Sequence, residues 1–311
     1  MKHIDEVYRD LVNTVLDVGT RKENRTGVDT ISSFGQHYTI DLRDGFPLLT
    51  TKSVSWKNIV IEMLWFLSGQ TDIGILKRHG CKFWDAWADP TTGKVPSAYG
   101  NFWRRFPVHS TRDSSDMAID GDECCGYNDQ VRWVLNEMKR NPMSRRMVVS
   151  AWAPENAQYS KLPPCHCLYV FNVQNEPTGE NRRLCLHLTQ RSCDIALGVP
   201  YNIASYALLC HIAAHLTGLE VGQFSHTLVD AHIYTSKPDG SKGEYDHVPG
   251  LLQQIKREPR PLPKLTISPT IKSLEDIEAL MDPSVSTETI LSKFVLEGYE
   301  PHPAVSFKVA V

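Results

Sequence analysis

Leu184-Cys185-Leu186-His187-Leu188-Thr189-Gln190, followed by Arg191-Ser192-Cys193-Asp194 and then Gly198-Val199-Pro200-Tyr201-Asn202, is the stretch that decides the fold class. Leu184, Leu186 and Leu188 alternate with Cys185, His187 and Thr189, the period of a strand with one buried face. Beyond the polar joint, residues 199–216 carry Ile203, Tyr206, Leu208, Leu209, Ile212 and Ala213 and read as the most buried helix of the protein. Residues 224–234 return as a strand. Upstream, 147–152 and 165–173 read as strands, with a turn at 175–181.

Working outward, residues 4–17 place Ile4, Val7, Tyr8, Leu11 and Val15 on one helical face, and 128–140 form a second amphipathic helix. Residues 56–68 make a strongly apolar helix with one acid, Glu62, in its middle. A strand pair is expected over 30–42, closed by the turn-like Arg43-Asp44-Gly45, and a helix over 248–257. The acid-rich 104–127 stretch reads as a surface loop or mobile insertion, and 237–240 as a loop. Strands and helices mix without regular βαβ alternation, so the fold is read as α+β, a mixed β-sheet packed with helices. No repeat or linker divides the chain, and one domain is expected over 1–311, with variable loops near 104–127 and 235–246.

At 311 residues, 41% hydrophobic and 22% charged, the chain can bury a large core and is neither disordered, collagenous nor coiled-coil. No apolar run approaches a membrane span, and the first residues carry no signal-peptide pattern, so a cytoplasmic protein is expected. Eight cysteines in such a chain read as reduced thiols rather than a disulfide framework. A net charge of −3 argues against a general nucleic-acid binder.

Several chemistries drop out. The sequence has no G-x-G-x-x-G, no G-x-x-x-x-G-K-[ST] and no G-x-S-x-G. Cys165-His166-Cys167 lacks the second paired cluster of a zinc site, and no metal is expected. Leu162-Pro163-Pro164-Cys165-His166 instead sets a thiol at a strand start beside an imidazole. Such a cysteine is either a nucleophile, useful once nearby positive charge favours its thiolate, or an inert strand residue. Arg191 and Ser192 combine a planar cationic fork with a small hydroxyl, which suits a phosphate; an internal ion pair is the plain alternative. Asn202 offers both donor and acceptor and can read an amide edge such as uracil N3–H and O4.

Taken in order, many segments resemble the folate-dependent, cysteine-nucleophile thymidylate synthase family. They begin with Asn24-Arg25-Thr26-Gly27, Phe46-Pro47-Leu48-Leu49-Thr50-Thr51-Lys52, Glu62-Met63-Leu64-Trp65-Phe66-Leu67-Ser68-Gly69 and Trp84-Asp85-Ala86-Trp87-Ala88-Asp89. They continue with Tyr99-Gly100, Ser144-Arg145-Arg146, Pro163-Pro164-Cys165-His166 and the 190–208 block. Asp230-Ala231-His232-Ile233-Tyr234, Arg257-Glu258-Pro259-Arg260-Pro261-Leu262-Pro263 and Ala310-Val311 complete the series, which spans nearly the whole chain.

The resemblance implies reductive methylation of dUMP to dTMP, with 5,10-methylenetetrahydrofolate as cosubstrate and dihydrofolate as product. Cys165 would add to C6 of dUMP and make C5 nucleophilic. Arg25, Arg191 and Ser192 would hold the 5′-phosphate, joined by Arg145 and Arg146 from the partner of a homodimer. Asn202 would read the base, and His232 and Tyr234 the ribose 3′-hydroxyl. Glu62 would relay protons through water, its pKa raised by burial, and Tyr99 would assist proton removal from C5. His166, beside the nucleophile, belongs to the catalytic set. Asp194, in both the catalytic and the nucleotide-binding set, would hydrogen-bond the pterin. Trp84, Trp87, Leu162 and Tyr201 would form a folate wall, with Ala310 at the chain end. Lys52 would meet the folate glutamate tail or be a solvated lysine.

Pro96-Ser97-Ala98 stands before Tyr99 where the family commonly has Gly-Pro, Leu228-Val229 stands before Asp230 where two glycines are common, and Tyr201 replaces a common Phe. A nucleotide hydroxymethylase of the same fold is the nearest alternative. Asn202 favours uracil over cytosine, so a dUMP enzyme fits better than a dCMP one, and Trp84 favours a shielded methylene and hence methylation. An RNA-binding regulator using the cationic pocket would be a secondary role.

Overall fold

The alternating strand that begins at residue 182 lies inside a mixed sheet, parallel to one neighbour and antiparallel to the other. The computed structural model describes residues 2–108, 126–175 and 181–310. In chain order the strands are β1 (Thr20–Lys22), β2 (Asp29–Asp41), the short pair β3 (Phe106–Pro107) and β4 (Tyr127–Asn128), and β5 (Val148–Ser150). They continue with β6 (His166–Asn175), β7 (Arg182–Gln190), β8 (Cys193–Asp194), β9 (Glu220–Thr235), β10 (Lys264–Ile267) and β11 (Phe294–Glu297). The main sheet runs β1-β2-β9-β7-β6-β5, with β8 added to one end of β9. β9 is parallel to β7 and β8 and antiparallel to β2.

The helices of the first half are α1 (Ile4–Val18), α2 (Trp56–Ser68), α3 (Gly74–Arg78), α4 (Tyr99–Arg104) and α5 (Gln130–Arg140). Those of the second half are α6 (Pro154–Ala157), α7 (Gly198–Thr217), α8 (Val248–Gln254), α9 (Leu274–Leu280) and α10 (Thr287–Leu291). Leu184, Leu186 and Leu188 of β7 and Phe224 and Leu228 of β9 are buried, on the sheet face against which α7 packs. Each such side chain contributes roughly 1.5–3 kcal/mol by leaving water. The opposite face of β7 and β9 shows Cys185, His187, Thr189, Ser225 and Thr227, all only partly buried. The architecture is the expected α+β arrangement.

Local chemistry explains the best-matched helix. Ser55 caps α2 by accepting from the Asn58 N–H at 3.4 Å, and Gly69 ends it in the left-handed region at φ 69°. Helix α4 then lies on α2 at very close range: a Cβ on Gly100 would stand 2.2 Å from the Phe66 carbonyl oxygen. Only glycine permits that approach, and it is what brings Tyr99 inward.

Three expectations need correction. Residues 30–42 form not a strand pair but one 13-residue strand, β2, whose hairpin partner is β1. Gly35 sits mid-strand at φ 73°, a glycine conformation that interrupts the alternation a sequence reading depends on. The 104–127 stretch does not begin as a surface loop. Arg104 is buried at the end of α4, paired with Asp129 at 2.9 Å and Glu278 at 2.7 Å, and β3 pairs with β4. Residues 109–125 lie outside the described residues, as does most of the 175–181 turn. The helix expected over 248–257 stops at Gln254, because Arg257 turns to bind two main-chain carbonyls, those of Thr51 and Pro303, both at 2.7 Å.

Candidate active site

Two prolines deliver Cys165 to the head of β6. The carbonyls of Pro163 and Pro164, just ahead of the strand, accept from the Arg191 side chain. Arg191 Nη2 donates to Pro163 O at 2.7 Å and Nε to Pro164 O at 3.1 Å, while its guanidinium lies 5.6 Å from the Trp152 ring centre. Its backbone N–H donates to Cys165 O at 2.9 Å, and the Cys165 N–H donates to the Tyr99 hydroxyl at 3.3 Å. The nucleophile candidate is therefore held from both sides. Cys165 is partly exposed; Cys167 Sγ turns back toward the Cys165 carbonyl at 3.6 Å.

Burial raises the Cys165 pKa, and this outweighs the opposing pull of Arg191, the Tyr99 hydrogen bond and Arg25. The arginines favour the thiolate, as expected, but do not by themselves bring the pKa down. His166 is buried, stacked on Tyr99 with ring centres 4.6 Å apart, and burial lowers its pKa to about 3 against a smaller opposing hydrogen bond with Asn202. It is a neutral imidazole at working pH. Burial raises the Tyr99 phenol well above its ordinary value.

Glu62 sits on the otherwise apolar face of α2, and Trp84 Nε1 donates to its Oε1 at 2.7 Å. Burial raises its pKa to about 7, with the Trp84 hydrogen bond working the other way. A carboxyl group poised there can both give and take a proton near neutrality. Trp84 itself is buried, so its polar edge serves Glu62. Trp87, Leu162 and Tyr201 remain partly exposed; Arg25 lies 5.6 Å from the Trp87 ring centre, and Tyr201 meets Phe83 edge-on at 4.9 Å.

At the far end of β7, Gln190 Nε2 donates to Asn202 Oδ1 and to the Ser192 carbonyl, both at 3.0 Å. Asp194 Oδ1 accepts from the N–H groups of Ala196 and Leu197 at 2.9 and 3.0 Å, fixing the loop that opens α7. His232 Nδ1 lies 3.3 Å from Asp230, which also binds Lys22 and Ser32, each at 2.8 Å; the His232 contact is the chief cause of a lowered Asp230 pKa. Tyr234 meets His232 edge-on at 5.5 Å. Lys52 is 4% exposed, which removes the reading of a solvated lysine. Its Nζ donates to Ala196 O at 2.6 Å, and burial lowers its pKa to about 8 despite Asp194.

The C-terminal segment closes this side as a strap. Arg260 Nη1 binds the carbonyls of Glu300 and Pro301 at 2.9 and 3.3 Å, His302 Nε2 donates to Glu258 O at 2.9 Å, and His247 Nε2 donates to Lys308 O at 2.9 Å. Phe307 packs on the His247 ring at 4.9 Å and beneath the Lys52 ammonium at 5.1 Å. Ala310 is partly buried near its end. Arg145 and Arg146 are exposed and make no ion pair among the described residues. No three His, Cys, Asp or Glu side chains gather as a metal site among the described residues.

The structure thus gathers Cys165, His166, Tyr99, Arg191 and Asn202, with Glu62 held by Trp84. Sequence reasoning passed over Tyr38, His226 and His247. Their signal was faint: a histidine or tyrosine in an apolar strand, or one polar residue before a short helix.

The thymidylate synthase family model matches residues 6–311. The chain belongs to the thymidylate synthase family. A thymidylate synthase from Haloferax volcanii is 42% identical over 350 aligned positions, covering 97% of this chain and 95% of that protein. Of the departures noted in the sequence, Leu228 is fully buried on β9, and Ala98 packs in the core ahead of Tyr99.

Proposed function

We infer that the chain reductively methylates dUMP to dTMP, taking the one-carbon unit and the hydride from methylenetetrahydrofolate, and that Cys165 is its nucleophile. The single observation that carries the residue assignment is the clamp on Cys165, a partly exposed residue whose backbone is fixed between the Tyr99 hydroxyl and the Arg191 N–H. Cys165 Sγ adds to C6 of dUMP, which leaves C5 nucleophilic toward the one-carbon unit. Arg191 and Ser192 receive the 5′-phosphate with Arg25; Nη1 of Arg191 makes no hydrogen bond among the described residues, while Nε and Nη2 are engaged. Asn202 reads the uracil edge, and His232 and Tyr234 the ribose. Glu62 holds and returns protons on the O4 side, and Tyr99 beside Cys165 assists removal of the C5 proton. Trp87, Leu162, Tyr201 and Asp194 face the folate, with Lys52 and Ala310 behind them.

The active form is a homodimer of one catalytic domain spanning 1–311, in the cytoplasm. The guanidinium groups that act on Cys165 are those of Arg191 and Arg25, which leaves the exposed Arg145 and Arg146 free for the partner's phosphate. No helix among the described residues is long and apolar enough to cross a membrane.

Product analysis with dUMP and methylenetetrahydrofolate tests the reaction: dTMP with dihydrofolate is expected, whereas hydroxymethyl-dUMP with tetrahydrofolate would refute it. Cys165→Ala should fold yet form no covalent adduct with 5-fluoro-dUMP by mass spectrometry. Cys167→Ala should still form it, because that thiol is turned onto the main chain. An adduct in Cys165→Ala would move the nucleophile elsewhere.

A further inference from the structure

Behind Asn202 runs an unbroken line of hydrogen-bonded polar groups, partly buried at its two ends and fully buried at its centre. Tyr38 OH lies 2.6 Å from His226 Nδ1, and His226 Nε2 lies 3.0 Å from Gln190 Oε1. Gln190 Nε2 is 3.0 Å from Asn202 Oδ1 and 3.0 Å from the Ser192 carbonyl. His226 is 0% and Gln190 3% exposed, so water offers neither of them another partner.

The direction of every bond follows from one fixed end. A backbone carbonyl only accepts, so Ser192 O holds the amide nitrogen of Gln190 on its own side. The Gln190 oxygen must then face His226, and as an acceptor it requires a proton on Nε2. A buried neutral imidazole carries one proton, so Nδ1 is bare and the Tyr38 hydroxyl donates to it. Both Gln190 amide hydrogens are committed, one to Ser192 and one to Asn202. Asn202 Oδ1 is thereby held toward Gln190, with its amide nitrogen at the other end.

We propose that Tyr38 and His226 are specificity-positioning residues: through Gln190 they lock the Asn202 amide in the orientation that reads uracil and oppose the flip that would read cytosine. This deepens the assignment of Asn202 as base reader and rests on it. Uracil presents N3–H as donor and O4 as acceptor, which match Oδ1 and Nδ2 as they are held. Cytosine presents the reverse, and accepting it requires rotating the amide by half a turn. The rotated Nδ2 would then face the Gln190 amide nitrogen, donor against donor, with the Gln190 side buried. Neither Tyr38 nor His226 need touch the nucleotide for this to act.

The test is Tyr38→Phe, which removes the donor that satisfies the bare Nδ1 and so leaves His226 free to take the other tautomer and turn its bare nitrogen on the Gln190 amide. Affinities for dUMP and dCMP are measured by calorimetry on the intact enzyme, together with nitrogen NMR of labelled histidine, the His226 signals being assigned by their loss in His226→Gln. The wild type should show His226 protonated on Nε2 only. The variant should narrow the dUMP-over-dCMP affinity ratio by on the order of tenfold, as expected when one buried polar partner is lost. A role in packing alone would weaken both nucleotides equally, and that result overturns the proposal. So does a wild-type His226 protonated on Nδ1, a measurement independent of how well any variant folds. Equal wild-type binding of the two nucleotides would overturn both the lock and the base-reading role of Asn202. A narrowed ratio in an enzyme that fails to make dTMP would support the lock while refuting the reaction.

Discussion

Glu62 is a carboxyl group whose neighbours favour its protonated form, and that has a cost with a definite sign. Its pKa rises from the model-peptide value of 4.5 to about 7 in the folded chain, with burial the main cause. Between those pH values the folded state holds a proton that the unfolded state has released, so stability falls as pH rises through this window. Below pH 4.5 both states are protonated and the penalty is absent. Glu62→Gln removes it: the variant should gain about 1–3 kcal/mol over the wild type in denaturant unfolding at pH 8. At pH 4 the gain should vanish, and dTMP formation should be lost at both. A variant equally stabilised at both pH values would show that titration is not the origin. Cys165 and His166 were legible as a local motif, whereas the bonds that make Glu62 and Cys165 special were not. Trp84 reaches Glu62 across 22 residues of chain and Tyr99 reaches Cys165 across 66, and no local pattern encodes contacts at that range.

Helix α4 exists to deliver Tyr99, and its position depends on a missing side chain. With the Gly100 Cβ site 2.2 Å from the Phe66 carbonyl, even one methyl group must push α4 off α2. Gly100→Ala should lower unfolding stability by about 1–3 kcal/mol through overpacking. It should also lower kcat more than it raises the KM for dUMP, because Tyr99 is displaced while the phosphate and base contacts are left alone. Equal loss in both would mean that α4 does not deliver Tyr99. One element was readable to the residue: α2 runs from Trp56 to Ser68 as predicted, between its caps Ser55 and Gly69. Where an end is set by distant parts, the reading failed. β2 takes β1 as its hairpin partner and runs as one strand where a pair was expected before the 43–45 turn, and Arg257 ended α8 early by reaching for Thr51 and Pro303.

At the scale of the whole molecule, the mixture of strands and helices was legible, but the strand order was not. β9 inserts between β2 and β7, antiparallel to one and parallel to the other, a pairing set by the packing of α7 rather than by adjacency in sequence. Assembly is the next level, and mixing inactive subunits addresses it. Arg146→Glu and Cys165→Ala should each be inactive alone, yet exchanged together they should recover up to about a quarter of wild-type activity. One site of each mixed dimer then has an intact thiol and an intact arginine, and mixed dimers are half the population under random exchange. Full subunit exchange without recovery would mean that each site is built from one chain.

The C-terminal strap is bound in an unusual currency: Arg257, Arg260 and His247 grip its peptide oxygens and ignore most of its side chains. Every residue has a carbonyl, so substitutions along 300–306 leave those grips intact. Divergence among relatives is therefore cheap along most of the strap, apart from His302, whose ring binds the Glu258 carbonyl, and Phe307, whose ring is packed, and expensive at the three anchors. Chain length obeys a different rule, because inserting or deleting one residue between two gripped carbonyls, at 300, 301, 303 and 308, breaks the spacing between their anchors. Between its packed and bonded side chains, the strap is free to change its spelling but not its count.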